Sequence, residues 1–247
     1  AALVCKDLGL PHYFVDTEEA FRAFVIDPFR KSYGEGNTPS PCVDCNTHLK
    51  FHLVWDLLRE RLGIEHLATG HYARIDQASN ETSRMDKGLQ PLVYNRLMRA
   101  KDVARDQSYF LYGVPRDRLA FLHFPLGGLT KDEVRQAASA CRIFVAGKPD
   151  SMELCFAAEG DYRALLRDMP SRPGPILDAA GKRLGEHTGL HNFTVGQRRG
   201  LRISNPEPLY VIKLVPEDNA VIVGPRAAGY EARVRAVHVN VLQPEKL

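Results

Sequence analysis

The strongest constraint on how this chain folds is a change of texture near residue 155. Before it, apolar runs of strand length alternate with stripes of helical period. Residues 11–16 form an apolar run that predicts a buried strand, and 18–33 carry a helical pattern. Gly34, Gly36, Pro39 and Pro41 then make a loop. Asn46 or Thr47 can cap the next helix, in which Leu49, Leu53, Leu57 and Leu58 share a face with Trp55 in the core, until Gly63 ends it. Residues 64–69 read as a second short strand. Such alternation specifies a parallel α/β sheet, with sites at the carboxyl ends of strands.

Residues 77–88 are polar and unpatterned, which predicts a surface excursion, and 107–112 read as the start of a helix. Thr130-Lys131-Asp132-Glu133 is a capping box that opens another helix, with Val134, Ala137, Ala138 and Cys141 inward. Beyond Cys155, Pro170, Pro173, Gly174, Gly181, Gly189, Gly196 and Gly200 punctuate short segments, and 209–215 with 220–223 form a hairpin. Boundaries fall near Ala157 and Ala227, dividing the chain into 1–157, 158–227 and 228–247.

The two ends read as cut inside structure. Leu3, Val4 and Leu8 mark the tail of a helix closed by Gly9, and Val237, Val239 and Val241 alternate like a half-buried strand. The expectation is a piece of a longer protein. Lys and Arg number 33 against 30 Asp and Glu, a net charge of +3, so any phosphate-reading surface must come from local clustering. The hydrophobic share of 44% excludes disorder as the main state, and no apolar run approaches the ~20 residues of a membrane span.

Five cysteines, an odd number without a secretory signal, point to reduced thiols in a cytoplasmic protein. Cys42 and Cys45 form a Cys-x-x-Cys pair, with Cys45 expected just before a helix, where backbone N–H groups and the helix dipole lower a thiol pKa. Three readings compete: a zinc knuckle helped by His48, a thioredoxin-like dithiol, and a pair that works with a distant cysteine. No second Cys pair completes a four-ligand zinc site. Cys155 is the natural distant partner, although the plainer account of it alone is a core cysteine. Cys5 and Cys141 fall on apolar helix faces and read as core.

Several motifs, in order, resemble the tRNA-specific 2-thiouridylase family. Thr38-Pro39-Ser40-Pro41 through Cys45-Asn46 and Lys50-Phe51 resembles its first-cysteine motif. Thr69-Gly70-His71-Tyr72 resembles its nucleotide-and-substrate turn, and Asp106-Gln107-Ser108-Tyr109-Phe110 its RNA-contact segment, with Arg105 where the family commonly has Lys. Asp150-Ser151 with Cys155-Phe156 is similar to the second-cysteine motif, and His187-Thr188-Gly189-Leu190 with 194–201 to the central domain.

The resemblance implies a PP-loop ATPase-like α/β domain lacking its first strand and loop, then a small mixed central domain and the start of a β-barrel. It implies 2-thiolation of the wobble uridine of tRNA. ATP with Mg2+ would adenylate the 2-oxygen, Cys155 would carry a persulfide, and Cys45 would be the nucleophile that resolves it. By the same resemblance Gly70 approaches ATP, while Ser40, Pro41, His71, Arg105, Asp106 and Gln107 contact the anticodon loop of Lys, Glu and Gln tRNAs. A cysteine desulfurase or sulfur-relay protein would supply sulfur, and no membrane is involved.

The family's Ser-Gly-Gly-x-Asp-Ser loop is absent, as truncation ahead of Ala1 would explain, so the chain as given is expected to bind ATP poorly. Cys42 stands where the family usually has Asp. Related sulfurtransferases with three such thiols hold a [4Fe-4S] cluster, which gives Cys42, Cys45 and Cys155 a second reading as metal ligands. Under either reading, a Cys45–Cys155 disulfide would be a resting or post-turnover state rather than a structural staple. Arg198, Arg199 and Arg202 make a compact basic cluster suited to phosphate, or simply a solvated turn. The rivals to an enzyme of this kind are a non-catalytic RNA- or metal-binding module and a dithiol oxidoreductase.

Overall fold

The computed structural model describes residues 1–79, 93–148, 154–157 and 162–242. Asp150 and Ser151, and most of the expected 77–88 excursion, lie outside the described residues. In chain order the helices are α1 (Ala2–Asp7), α2 (Glu18–Phe21), a π-helical stretch (Arg22–Ile26), α3 (Asp27–Gly34), α4 (Pro41–Asp44), a second π-helical stretch (Cys45–Val54), α5 (Trp55–Leu62) and α6 (Lys131–Ala140). The strands are β1 (Leu67–Ala68), β2 (Ala73–Ser79), β3 (Val93–Arg99), β4 (Leu122–His123), β5 (Gly174–Leu177), β6 (Arg183–His187), β7 (Tyr210–Val215) and β8 (Ala220–Gly224).

The chain forms two compact units, each discontinuous in sequence. The first comprises Ala1–Phe21, Cys42–Asp150 and His238–Leu247, and the second Arg22–Pro41 and Ser151–Val237.

In the first unit, β1 pairs in parallel with β4, and β2 pairs antiparallel with β3 from Ala73↔Arg99 to Ser79↔Val93. Phe51, Trp55, Ala73, Leu111, Val114, Leu119, Leu122 and Phe124 bury together as its core. Gly63 closes α5 in the left-handed region at φ 66°, the position where a side chain would be strained. The Thr130 capping box opens α6 as the residues predict: Glu133 N–H donates to Thr130 Oγ1 at 3.3 Å and Thr130 N–H to Glu133 Oε2 at 2.6 Å.

The second unit is built on a four-stranded mixed sheet in the order β6-β5-β8-β7. The β7–β8 hairpin is antiparallel, as expected, and β5 joins β8 in parallel. Ile176, Leu190, Phe193, Leu201, Val211, Leu214, Val221 and Val223 fill its core. A second cluster seats Phe29 and Tyr33 of α3 on Leu166, with Leu154, Phe156, Tyr162, Leu165 and Met169 around them. Arg30 secures the same contact, donating to the Leu165 carbonyl at 2.8 Å and pairing with Asp168 at 2.9 Å.

Five expectations are corrected. Residues 11–16 form no strand, and Phe14 is 86% exposed, because no described strand offers that backbone a hydrogen-bonding ladder. Residues 237–241 also form no strand, with Val237 and Val239 exposed. There Asn240 Nδ2 instead donates to the carbonyls of Tyr112 and Val114. The helix expected from 107 is a single 3-10 turn, Ser108–Leu111. Leu53 is exposed rather than on the buried face. Cys141 is exposed and Cys5 half-buried, since α1 and α6 bury no residue completely.

Candidate active site

The helix bearing Cys42 and Cys45 starts at Pro41, not at Asn46 or Thr47. Proline's fixed φ suits a first helical position, whose N–H would go unbonded anyway. Cys45 therefore lies inside the helix, on the first residue of its π-helical stretch, and not ahead of it. A spacing of three puts Cys42 and Cys45 on one face, and both are half-buried. Asp44 between them is also half-buried, and burial raises its carboxyl pKa against the smaller opposing pull of His48.

Asn46, 1% exposed, ties this helix to the 3-10 turn. Its Nδ2 donates to the Phe110 carbonyl at 3.1 Å and its Oδ1 accepts from Lys50 Nζ at 3.1 Å. Gln107 in turn holds Tyr72 by a reciprocal pair. Tyr72 N–H donates to Gln107 Oε1 at 2.9 Å, and Gln107 N–H donates to the Tyr72 carbonyl at 2.8 Å. Asp106 accepts from Ala100 N–H and from Ser108 Oγ, each at 2.9 Å, with Arg99 Nε at 3.5 Å. Burial pushes the Asp106 carboxyl up, but these hydrogen bonds and Arg99 outweigh it, leaving its pKa below the ordinary value.

His71 packs against the rings of Phe51 and Phe124, at 5.9 and 6.0 Å between centroids, with Nδ1 2.8 Å from Thr69 Oγ1. Burial, helped by the positive charge of Lys50, drives its pKa down to about 4, so the imidazole is neutral at pH 7. Gly70 leaves ordinary room for a side chain, 3.7 Å from Leu126 Cδ1, so packing does not explain its being glycine. Arg105 is half-buried beside Asp106, while Ser40 is exposed and Pro41 buried. Three separate sequence motifs thus converge in the first unit: the Cys42–Phe51 helix, the Gly70–Tyr72 turn and the Asp106–Phe110 turn. Asn46, Thr69 and Phe124 complete the constellation. Asn46 and Thr69 stand in the motifs read from the sequence, Asn46 as a helix cap, but these contacts follow only from the fold, and Phe124 carries no signal of its own in the sequence.

Cys155 belongs to the second unit and is exposed, so the core account of it fails. Its neighbours Leu154 and Phe156 take the apolar contacts instead, Phe156 meeting Phe29 edge-on at 5.7 Å. Among the described residues no disulfide joins any of the cysteines. Among the described residues no three Cys, His, Asp or Glu side chains are gathered to hold a metal ion. No described helix is long and apolar enough to cross a membrane.

Residues 1–159 match the family model described as the tRNA methyl transferase HUP domain, and 163–225 the tRNA methyl transferase PRC-barrel domain. The chain belongs to this family. A tRNA-specific 2-thiouridylase MnmA of Methylorubrum populi is 49% identical over 245 residues, 98% of this chain and 60% of that protein. Those of Methylorubrum extorquens and Rickettsia africae are 48% and 46% identical, over 98% and 92% of this chain and 60% of each relative. The chain therefore spans about 60% of the length of these relatives. The family expected from the motifs and the printed name of the relatives agree. The second family match falls on the stretch read from sequence as the small central domain.

Proposed function

We propose that this protein takes part in ATP-dependent 2-thiolation of the wobble uridine of tRNA, in the cytoplasm, on the anticodon loops of Lys, Glu and Gln tRNAs. The observation that carries this reading is the convergence of the cysteine helix with the Gly70–Tyr72 and Asp106–Phe110 turns through Asn46, Phe51 and Gln107. The names of the relatives support thiolation over the methyl transfer in the family's description.

A pyrimidine carbonyl oxygen leaves poorly until it is adenylated. The uridine 2-oxygen attacks the α-phosphorus of ATP, which Mg2+ accompanies, and pyrophosphate departs. The outer sulfur of a Cys155 persulfide, charged by a desulfurase or sulfur-relay donor, adds to C2, and AMP leaves with the oxygen. The Cys45 thiolate then attacks Cys155 Sγ, freeing the sulfur on the base and leaving a Cys45–Cys155 disulfide. An external thiol reduces it for the next cycle. Gly70 admits the nucleotide, and Ser40, Pro41, His71, Arg105, Asp106 and Gln107 shape the pocket for the flipped base. Asp106 and Gln107 act by holding the Tyr72 and Ala100 backbone, to which their side chains are already committed. Neutral His71 offers a hydrogen bond rather than a charge.

The test is complementation of a bacterial strain lacking wobble 2-thiouridine with the whole reading frame that contains this chain. Thiolated tRNA is read as retardation on mercury-containing gels. The unsubstituted protein restores the shift, whereas Cys45→Ser and Cys155→Ser abolish it. Retention of the shift by Cys155→Ser would support the dithiol reading built on Cys42 and Cys45 alone.

A further inference from the structure

The 196–203 loop of the second unit has a build that its core does not require. Gly196 and Gly200 turn it at φ 87° and 82°. Gln197 staples it: Oε1 accepts from Thr194 N–H at 3.0 Å, and Nε2 donates to the Arg199 carbonyl at 2.9 Å. Backbone bonds to Val211 from both sides, Gly196 N–H to its carbonyl and its N–H to Gln197, fasten the loop to β7. Leu201 is buried and Ile203 packs on the same core. Between them Arg202 is held at φ 55°, a left-handed conformation costly for a residue with a Cβ. Anchoring the two flanking side chains lifts Arg202 outward at the expense of backbone strain.

Arg202 stands on the ridge between two clefts. One, of about 500 Å³, has Arg198 and Arg202 in its lining together with Glu207. The other, of about 440 Å³, has Arg163, Arg199 and Arg202, along with Thr188 and Asn192. Its one carboxylate, Glu186, is already paired with Arg183. Arg198, Arg199 and Arg202 are all exposed, and among the described residues none of their guanidinium groups makes an ion pair or hydrogen bond. Three unneutralised cations on a stapled loop are preorganised for an extended polyanion. A single small anion would need only one of the two clefts.

We propose that this ridge is a docking site for the RNA sugar–phosphate backbone, with Arg198, Arg199 and Arg202 meeting successive phosphates. The inference rests on the reading of the protein as a tRNA-acting enzyme and adds a place on the second unit where the RNA is gripped. Guanidinium forks suit phosphate oxygens, and such contacts position a nucleic acid without reading its sequence.

The experiment is fluorescence titration of labelled unmodified tRNA with the chain over a range of salt concentrations, alongside thermal melting. Arg199→Gln with Arg202→Gln weakens binding and lowers the slope of log K against log salt by about one per arginine removed. Lys182→Gln, which removes one positive charge from the exposed β5–β6 turn, leaves the slope unchanged. Arg202→Gly is the decisive variant. It relieves the left-handed strain and so melts no lower than the parent, yet it binds tRNA more weakly. Tight binding with parental slope in Arg199→Gln/Arg202→Gln, or in Arg202→Gly, overturns the docking ridge while leaving the tRNA reading intact. Absence of tRNA binding by the unsubstituted chain overturns the docking ridge, and its absence in the whole reading frame that contains the chain overturns the tRNA reading as well.

Discussion

At the scale of single residues, environment decides what each candidate group can do. His71 is the clearest case, because the sequence offers only a histidine after a glycine, whereas two aromatic rings and Lys50 set its charge. Its folded pKa of about 4 lies below the ordinary 6.5, so between those values the unfolded chain binds the extra proton. The stability this contributes is complete above pH 6.5 and is lost as pH falls toward 4, up to about 3 kcal/mol. Denaturant unfolding at pH 7 and pH 4.5 should show this loss, and His71→Phe, which keeps the apolar packing, should show a smaller one. Equal losses in both proteins would remove His71 as the cause. Cys155 makes the same point in reverse. An apolar stretch suggested a core thiol, but Leu154 and Phe156, partly buried, take the apolar contacts and Cys155 is exposed. The order and spacing of the candidate residues were legible in the sequence, while their exposure and protonation depend on neighbours distant in sequence.

At the scale of elements, what was legible is what is local. The Thr130 capping box and the Gly63 terminator act within one turn of chain, and both stand in the structure as read. Thr130→Ala should cost about 1 kcal/mol by removing the acceptor for Glu133 N–H, measurable as a lowered denaturation midpoint at constant m. Gly127 is a stricter requirement, since a Cβ there would run into the Ala73 carbonyl at the start of β2. Gly127→Ala should destabilise by roughly 2 kcal/mol or more, as overpacking against backbone that cannot yield, and Thr130→Ala provides the comparison. Strands were read less well because a strand is completed by its partner. The apolar runs at 11–16 and 237–241 have the composition of strands but no described ladder. The polar start of the supposed excursion at 77–79 is instead the end of β2, whose outward face pairs Asp76 with Arg96 at 2.9 Å.

At the scale of the whole molecule, chain order and spatial order part company. Residues 22–41 leave the unit that precedes them and join 151–237, because α3 presents Phe29 and Tyr33 to Tyr162 and Leu166. Phe29→Ala should therefore cost about 3–5 kcal/mol and raise hydrogen exchange in both 27–34 and 162–169, with little change in β2 and β3. Enhanced exchange in 27–34 alone would contradict the packing described. By itself the sequence determined the family, the α/β character followed by a Gly- and Pro-punctuated sheet domain, the capping box and the hairpin. These follow from spacing and short-range backbone bonding. Only the tertiary structure decided that Asn46 and Gln107 bind three motifs into one site, that His71 is neutral, that Cys155 is exposed, and that Arg202 is lifted between two clefts. Each of these depends on burial and hydrogen bonding between segments tens of residues apart, which no local pattern encodes.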